Sequence, residues 1–112
     1  MHQPLHRFKA DFFKALAHPA RLVILEHLRS GEKSVTDLQT LLAMDQSSVS
    51  QQLAVLRNRQ IVDMRKEGTT AYYSVRDPLL FELLDVARAI FNQHLIGTQE
   101  LLQQLSEENE TR

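Results

Sequence analysis

The side chains with the clearest chemical potential are uncharged polar groups that recur between residues 46 and 58, where no charged residue lies from Gln46 to Leu56. Hydroxyls and carboxamides both donate and accept hydrogen bonds, and a glutamine can bind N6 and N7 of adenine at the edge of a base pair. The residues predicted to contact bases are Ser47, Ser48, Ser50 and Gln51, with Gln46 and Gln52 as close seconds. The same pattern also fits a Ser/Gln-rich surface helix without a ligand.

A helix within residues 43–61 must present these groups. Asp45 is a favourable N-cap, and Val49, Leu53 and Leu56 fall on one narrow stripe at helical spacing, which predicts the buried side. The opposite face carries short polar and small side chains. Its residues are Ser47, Gln51, Ala54 and Asn58. Since Ala54 keeps the middle of this face short and apolar, a thymine methyl group would fit against it.

Three shorter helical patterns precede this stretch. Residues 5–16 are amphipathic, and Pro19 favours a second helix start because proline suits the first helical position. The apolar stripe predicted for the second helix consists of Leu22, Val23, Leu25 and Leu28. Ser34 or Thr36 begins a third helix. Two helices joined by a few residues, with the second one exposing polar side chains, form a helix-turn-helix.

The periodicity changes after residue 61. Residues 62–66 alternate, Glu67 and Gly68 favour a turn, and residues 69–75 are rich in β-branched and aromatic side chains, which together predict a two-stranded hairpin. A hairpin directly after such a helix is a wing. The wing-tip groups are expected to reach either backbone phosphates or an adjacent minor groove, and they are Arg65, Lys66, Thr69 and Thr70. Arg57 and Arg59 are expected to bind phosphates.

A long last helix follows, with Asp77 as its N-cap and Pro78 as its first residue. Gly97 is expected to bend or end it, and the acidic tail from about residue 106 to fray. Because a small winged domain leaves little core for this helix, we expect it to pair with the first helix and with its counterpart in a homodimer. The residues predicted at the dimer interface are Leu5, Phe8, Phe12, Phe13, Leu80, Leu84, Ala87, Phe91 and Leu95.

Length and composition limit the class of protein. A chain of 112 residues with 43% apolar and 24% charged residues predicts one globular domain, residues 1–112, mainly α-helical with a small β-hairpin. No apolar run approaches a membrane span or a secretion signal, so we expect a cytoplasmic protein. The net charge is −1, but residues 1–76 carry +4 and residues 77–112 carry −5, so one surface alone can attract a polyanion.

Four motifs occur in order with characteristic spacing: AlaLeuAlaHisProAlaArgLeu (15–22), SerValThrAspLeu (34–38), GlnSerSerValSerGlnGlnLeu (46–53) and ArgLysGluGlyThrThrAlaTyrTyrSer (65–74). Together they resemble the ArsR/SmtB family of dimeric winged helix-turn-helix repressors. The resemblance implies the order α-α-α-α-β-β-α, a dimer built from the first and last helices, and a recognition helix in each major groove of double-stranded DNA. It also implies an inverted-repeat operator and repression relieved by an effector.

The metal sites of that family can be checked against this chain. The family's thiolate site uses Cys-Val-Cys where this chain has Ser34-Val35-Thr36, and the chain has no cysteine at all. The family's last-helix site uses an Asp with a His two residues later, whereas here Asp85 is followed by Ala87. The sequence therefore predicts no metal and no cofactor, with Asp85 and His94 as weak candidates for a site shared across a dimer.

Three functional hypotheses follow. The first is a sequence-specific repressor that senses a signal other than thiolate-bound metal, the inducer itself staying open. The second is a metal-responsive repressor that uses Asp85 and His94, together with His2 or His6. The third is a protein-interaction module that has lost operator binding and presents its phenylalanine surface to a partner. An enzyme is not expected, because no Ser/His/Asp set and no Gly-rich phosphate loop is present.

Overall fold

The computed structural model describes residues 3–110. The helices are α1 (Gln3–Leu16), α2 (Pro19–His27), α3 (Val35–Leu42), α4 (Gln46–Asn58) and α5 (Leu79–Glu110), and the strands are β1 (Lys33–Ser34), β2 (Val62–Glu67) and β3 (Thr70–Val75). A 3₁₀ turn at Leu28–Ser30 extends α2. The chain forms two compact units, one ending at Asp77 and the other beginning at Pro78. This order of elements confirms the predicted winged helix-turn-helix.

The core of the first unit lies among α2, α3, α4 and the start of β2, and its apolar side chains are completely buried. They are Ile24, Leu25, Leu38, Val49, Leu53, Leu56 and Val62. Three of them are the stripe predicted for α4, which is therefore confirmed. At roughly 1.5–3 kcal/mol for each fully buried aliphatic side chain, this cluster is the main force that holds α4 against the other helices.

The prediction for α2 was partly wrong. Leu22 and Val23 are 39% and 44% exposed, and the buried side is instead formed by Ile24, Leu25 and Leu28. The physical reason is helical geometry: at about 100° per residue, Val23 lies on nearly the opposite side of the helix from Leu25, and Leu22 lies at the edge of the buried side.

The helix starts follow the capping residues in the sequence. His18 accepts a hydrogen bond at Nδ1 from the backbone N–H of Ala20 (3.1 Å), with Pro19 as the first helical residue. Ser34 and Asp37 form a reciprocal capping box at the start of α3. Ala43 ends α3 with a left-handed φ of 53°. This change of direction turns the chain towards α4.

The wing is a three-stranded antiparallel sheet in the order β1-β3-β2, whereas the sequence predicted only a hairpin. The missed strand, β1, has two residues, too few to show an alternating pattern. The turn is Gly68-Thr69, one residue later than predicted, because Glu67 and Thr70 form the last pair of the ladder. Gly68 has a φ of +63° as the first of two turn residues, which matches a type II′ turn.

The second unit consists of α5, which begins at Leu79, one residue after the predicted start at Pro78. Gly97 does not end it, and the helix continues to Glu110 through the segment expected to fray. The cost of one glycine, about 1 kcal/mol, is small beside 32 helical residues, and no proline follows. Within residues 3–110, no helix is both long and apolar enough to span a membrane.

Candidate nucleic-acid interface

The start of α4 is fixed by Asp45. Its Oδ1 accepts a hydrogen bond from the backbone N–H of Ser48 at 2.8 Å, as predicted for an N-cap. Hydrogen bonds from the hydroxyl and the backbone N–H of Ser48 hold the pKa of this exposed carboxyl below its usual value. Ser48 is half-buried at this cap. This burial separates it from Ser47 and Ser50, which are exposed.

The side of α4 opposite the buried stripe is exposed and uncharged. Along this side, Gln51 follows Ser47 by four residues and Asn58 follows Gln51 by seven. Ala54 lies between Gln51 and Asn58. Gln46 is exposed at the first helical position. The helix has 13 residues and is therefore about 20 Å long. The major groove of B-DNA is wide enough to admit an α-helix.

One flank of α4 faces the wing. An open groove of about 410 Å³ separates them, and its lining includes Ser50, Ala54 and Arg57 from α4 and Tyr73 from β3. Asn58 and Gln60 complete the lining at the end of the helix. The groove therefore places hydroxyl, amide and guanidinium donors on adjoining surfaces, the mixture that binds phosphate oxygens and base edges.

The other flank of α4 is tied to neighbouring helices. Gln52 is half-buried, and its Oε1 accepts a hydrogen bond from Nη1 of Arg21 on α2 at 2.8 Å. Arg59, just beyond α4, has Nη2 3.5 Å from Oδ2 of Asp11 on α1. Two residues predicted to face DNA are thus engaged within the protein.

Arg65 on β2 has even more partners. Its guanidinium donates two hydrogen bonds to Glu32, at 2.6 and 3.3 Å, and one to Glu67 at 3.0 Å. It also lies over the ring of its cross-strand neighbour Tyr72, 4.8 Å from the centroid. The two carboxylates raise the pKa of Arg65. This arrangement fastens the wing to the segment before β1, a role that the sequence analysis did not assign to Arg65.

The predicted cations that remain on the surface are Arg57 and Lys66. Both are exposed, and within residues 3–110 no ion pair involving either was found. Thr69 is exposed in the turn of the wing, and Thr70 is half-buried as the first residue of β3. The accessible positive charge thus lies at the groove and close to the wing tip.

Sequence reasoning missed Tyr73 and Gln60 as part of this surface. Consecutive residues of a strand point to opposite faces, so Tyr72 under Arg65 places Tyr73 on the other face of β3. This alternation of side chains could have been predicted from the sequence, because the strand itself was predicted. Gln60 has a left-handed φ of 59°, which no residue pattern signalled.

The residues predicted at a dimer interface are mostly apolar and exposed. Phe8 on α1 and Phe91 on α5 are each 64% exposed. Leu5, Phe13 and Leu95 are more than half exposed as well. The half-buried members are Phe12, Leu84 and Ala87, whereas Leu80 is only 7% exposed within the single chain.

The weak metal candidates lie on one helix but not on one side of it. Asp85 and His94 are nine residues apart, which at 3.6 residues per turn corresponds to two and a half turns and hence to opposite faces of α5. His6 is exposed on α1, and His2 lies outside the described residues. In the part of the chain that the structure describes, no three His, Asp or Glu side chains cluster as metal ligands.

Comparison with known proteins agrees with this architecture. Residues 18–63 match the sequence profile of the family described as bacterial regulatory protein, arsR family. The HTH-type transcriptional regulator Rv0081 of Mycobacterium tuberculosis is 41% identical over 104 residues, 92% of this chain and 91% of the relative. The biofilm growth-associated repressor of Agrobacterium fabrum is 42% identical over 82 residues, which cover 73% of this chain and 70% of the relative.

Solved structures show the same fold. The crystal structure of M. tuberculosis Rv0081 superposes with a TM-score of 0.77 at 44% identity, covering 83% of this chain and 94% of that one. The homodimeric winged helix-turn-helix domain of Mb0332 from Mycobacterium bovis, determined by NMR, gives a TM-score of 0.75 at 32% identity and covers 82% of this chain and 85% of that one. The chain belongs to the ArsR family of winged helix-turn-helix transcriptional regulators, which are DNA-binding proteins and not enzymes.

Proposed function

We propose that residues 1–112 act as a single DNA-binding and dimerisation domain, and that its homodimer represses transcription in the cytoplasm from an inverted-repeat operator. Each protomer inserts α4 into a major groove, and the two half-sites lie about one helical turn apart. The observation that carries this proposal is the exposed, uncharged face of α4 around Gln51, next to the groove that contains Arg57 and Tyr73.

Self-association is supported by the apolar surfaces of α1 and α5. Monomeric proteins rarely expose large contiguous apolar patches, yet Phe8 and Phe91 are each nearly two-thirds exposed. A symmetric dimer would cover both copies of each surface at once. Of the similar structures, the Mb0332 domain is described as homodimeric. Two copies of α4 would also supply affinity that one short uncharged face lacks.

The signal that relieves repression differs from thiolate-bound metal. The chain has no cysteine, so thiolate ligands are unavailable. Asp85 and His94 lie on opposite sides of α5, so a single helix cannot supply both ligands to one ion. The proposal is therefore a repressor released by a different ligand or by competition for its operator.

Fluorescence anisotropy on DNA from upstream of the protein's own coding region tests this proposal. We expect binding to an inverted repeat, with two protomers per site. Gln51→Ala should reduce the preference for the correct base pair at one position in each half-site. We expect this preference to fall by about 1–3 kcal/mol, or roughly 5- to 150-fold in the ratio of affinities. Gln103→Ala, the same change on the exposed surface of α5, is the control. Binding to a site without twofold symmetry, or binding that Gln51→Ala leaves unchanged, would contradict the proposal.

A further inference from the structure

Arg21 on α2 is a half-buried side chain whose hydrogen bonds reach both α1 and α4. Its Nε donates to the carbonyl of Ala15 at 2.5 Å, and its Nη2 donates to the carbonyl of Lys14 at 3.3 Å. Its Nη1 donates to Oε1 of Gln52 at 2.8 Å. A single guanidinium thus joins the end of the first helix to the recognition helix.

The contact with α1 is made where a helix attracts a cation. The last carbonyl groups of a helix have no partners within it and carry the negative end of the helix dipole. Ala15 and Lys14 belong to this last turn, and Arg21 donates to both carbonyl oxygens. The carbonyl of Lys14 also accepts from the backbone N–H of Ala17 at 3.1 Å, so Arg21 is its second donor. The planar, rigid guanidinium fixes the direction of every bond it makes, which a lysine ammonium does not.

The contact with α4 uses the flank that turns away from the wing. Gln52 is one turn after Ser48, whose backbone N–H is capped by Asp45, and lies beside the buried Leu56 rather than on the exposed face. Its carboxamide oxygen is occupied by Arg21. Gln51, the adjacent residue, is exposed on the face opposite the buried stripe. The two neighbouring glutamines therefore have different surroundings.

We propose that Arg21 and Gln52 form a positioning pair through which the placement of α1 sets the orientation of α4, so that Gln52 holds the recognition helix and does not read bases. This inference rests on the proposed function, in which α4 contacts the operator. α1 also carries the exposed Leu5, Phe8 and Phe13, so contacts made at these side chains can reach α4 through Arg21. The ion pair of Asp11 with Arg59 is a second link between α1 and the end of α4.

Two substitutions of Gln52 separate positioning from base reading. Gln52→Leu keeps the approximate size but removes the acceptor, leaving Nη1 of Arg21 without its partner. Gln52→Glu keeps an acceptor and turns the bond to Arg21 into an ion pair. A carboxylate in contact with DNA would be repelled by the phosphates, so this variant binds well only if the side chain faces Arg21.

The experiment measures operator affinity by fluorescence anisotropy, on the operator and on a set with single base-pair changes. We expect Gln52→Leu to weaken binding about tenfold on every sequence alike, and Gln52→Glu to stay within about threefold of the parent protein. Arg21→Lys should weaken binding as Gln52→Leu does. A loss of discrimination at one base pair in Gln52→Leu, or an equal defect in Gln52→Glu, would overturn the positioning role.

A measurement without DNA tests the contact between Arg21 and Gln52 independently of the proposed function. Urea unfolding of Arg21→Lys, Gln52→Leu and the double variant forms a double-mutant cycle. We expect the effects of the two substitutions to be clearly non-additive, and additive effects would show that the pair does not exist in solution. Another outcome is that the parent protein binds no inverted repeat even though the cycle is non-additive. That result would contradict the proposed operator binding and the positioning role in DNA binding, while the contact between Arg21 and Gln52 would remain established.

Discussion

Nη2 of Arg65 lies 2.6 Å from Oε1 of Glu32, a residue 33 positions earlier in the chain. A second bond, from Nε to Oε2, makes the contact bidentate. Bidentate pairs fix orientation as well as distance, and the ring of Tyr72 closes the other side of the guanidinium. The wing is thus held by a side chain that, from its type and position alone, would be assigned to phosphate binding.

This contact makes Glu32→Gln informative. If Arg65 were a phosphate ligand restrained by Glu32, removing the carboxylate would release it and raise DNA affinity. We expect the reverse, a weaker operator complex and faster amide hydrogen exchange in β2 and β3, because the wing loses its link to the segment before β1. Glu67→Gln removes the same charge from the same guanidinium, but within one strand, and should have a smaller effect. Tighter operator binding by Glu32→Gln would show that Arg65 contacts DNA.

The same carboxylate predicts a pH dependence. The hydrogen bond from Arg65 lowers the pKa of Glu32 from its ordinary value of 4.5. A carboxyl with a depressed pKa in the folded state contributes stability above its unfolded pKa, and that contribution is lost as the pH falls through the folded value. The attachment of the wing should therefore persist above pH 4.5 and weaken below it. A carboxyl ¹³C titration by NMR should place the Glu32 midpoint below 4.5, and Arg65→Met should return it to the ordinary value.

Local chemistry explains how much of the fold the sequence could predict. Asp45 and the stripe of Val49, Leu53 and Leu56 specify α4 within a span of 12 residues, because capping and helical periodicity are short-range effects. The predicted starts of α2 and α3 rested on the same kind of signal. Elements too short for periodicity had no such signal, which is why β1 was missed.

The partners of polar side chains were much less predictable. Gln52 and Arg65 have types that suit DNA contacts, and both are occupied by residues more than 30 positions away. Sequence spacing gives the face of an element on which a residue lies but not which charged group the tertiary structure brings to it. Gln51 and Gln52 have the same side chain, and only the tertiary structure shows that Gln52 accepts a hydrogen bond from Arg21.

The free cations predict a specific salt dependence. Each phosphate neutralised on B-DNA contributes about −0.9 to the slope of log K against log salt. Arg57 is exposed at the groove, whereas Arg59 lies 3.5 Å from Asp11 on α1. We expect Arg57→Ala to reduce the slope by about 0.9 for each protomer, and Arg59→Ala to change it less. Binding isotherms at several salt concentrations give both slopes, and equal reductions would show that Arg59 leaves Asp11 to contact a phosphate.

The proposed dimer can be tested at Phe91. This side chain is 64% exposed on α5, and twofold symmetry would bury two copies of it at once. Because burying one such side chain contributes about 1.5–3 kcal/mol, Phe91→Glu should raise the dimer Kd at least about a hundredfold, before the cost of burying a charge is added. Asn92→Glu introduces the same charge at the next residue, outside the apolar stripe of α5, and should leave the dimer intact. Sedimentation velocity at micromolar concentration separates the two variants.

Since each monomer would carry one copy of α4, the Phe91→Glu protein should bind the full operator no better than a half-site. A Phe91→Glu protein that remains dimeric would place the interface on another surface.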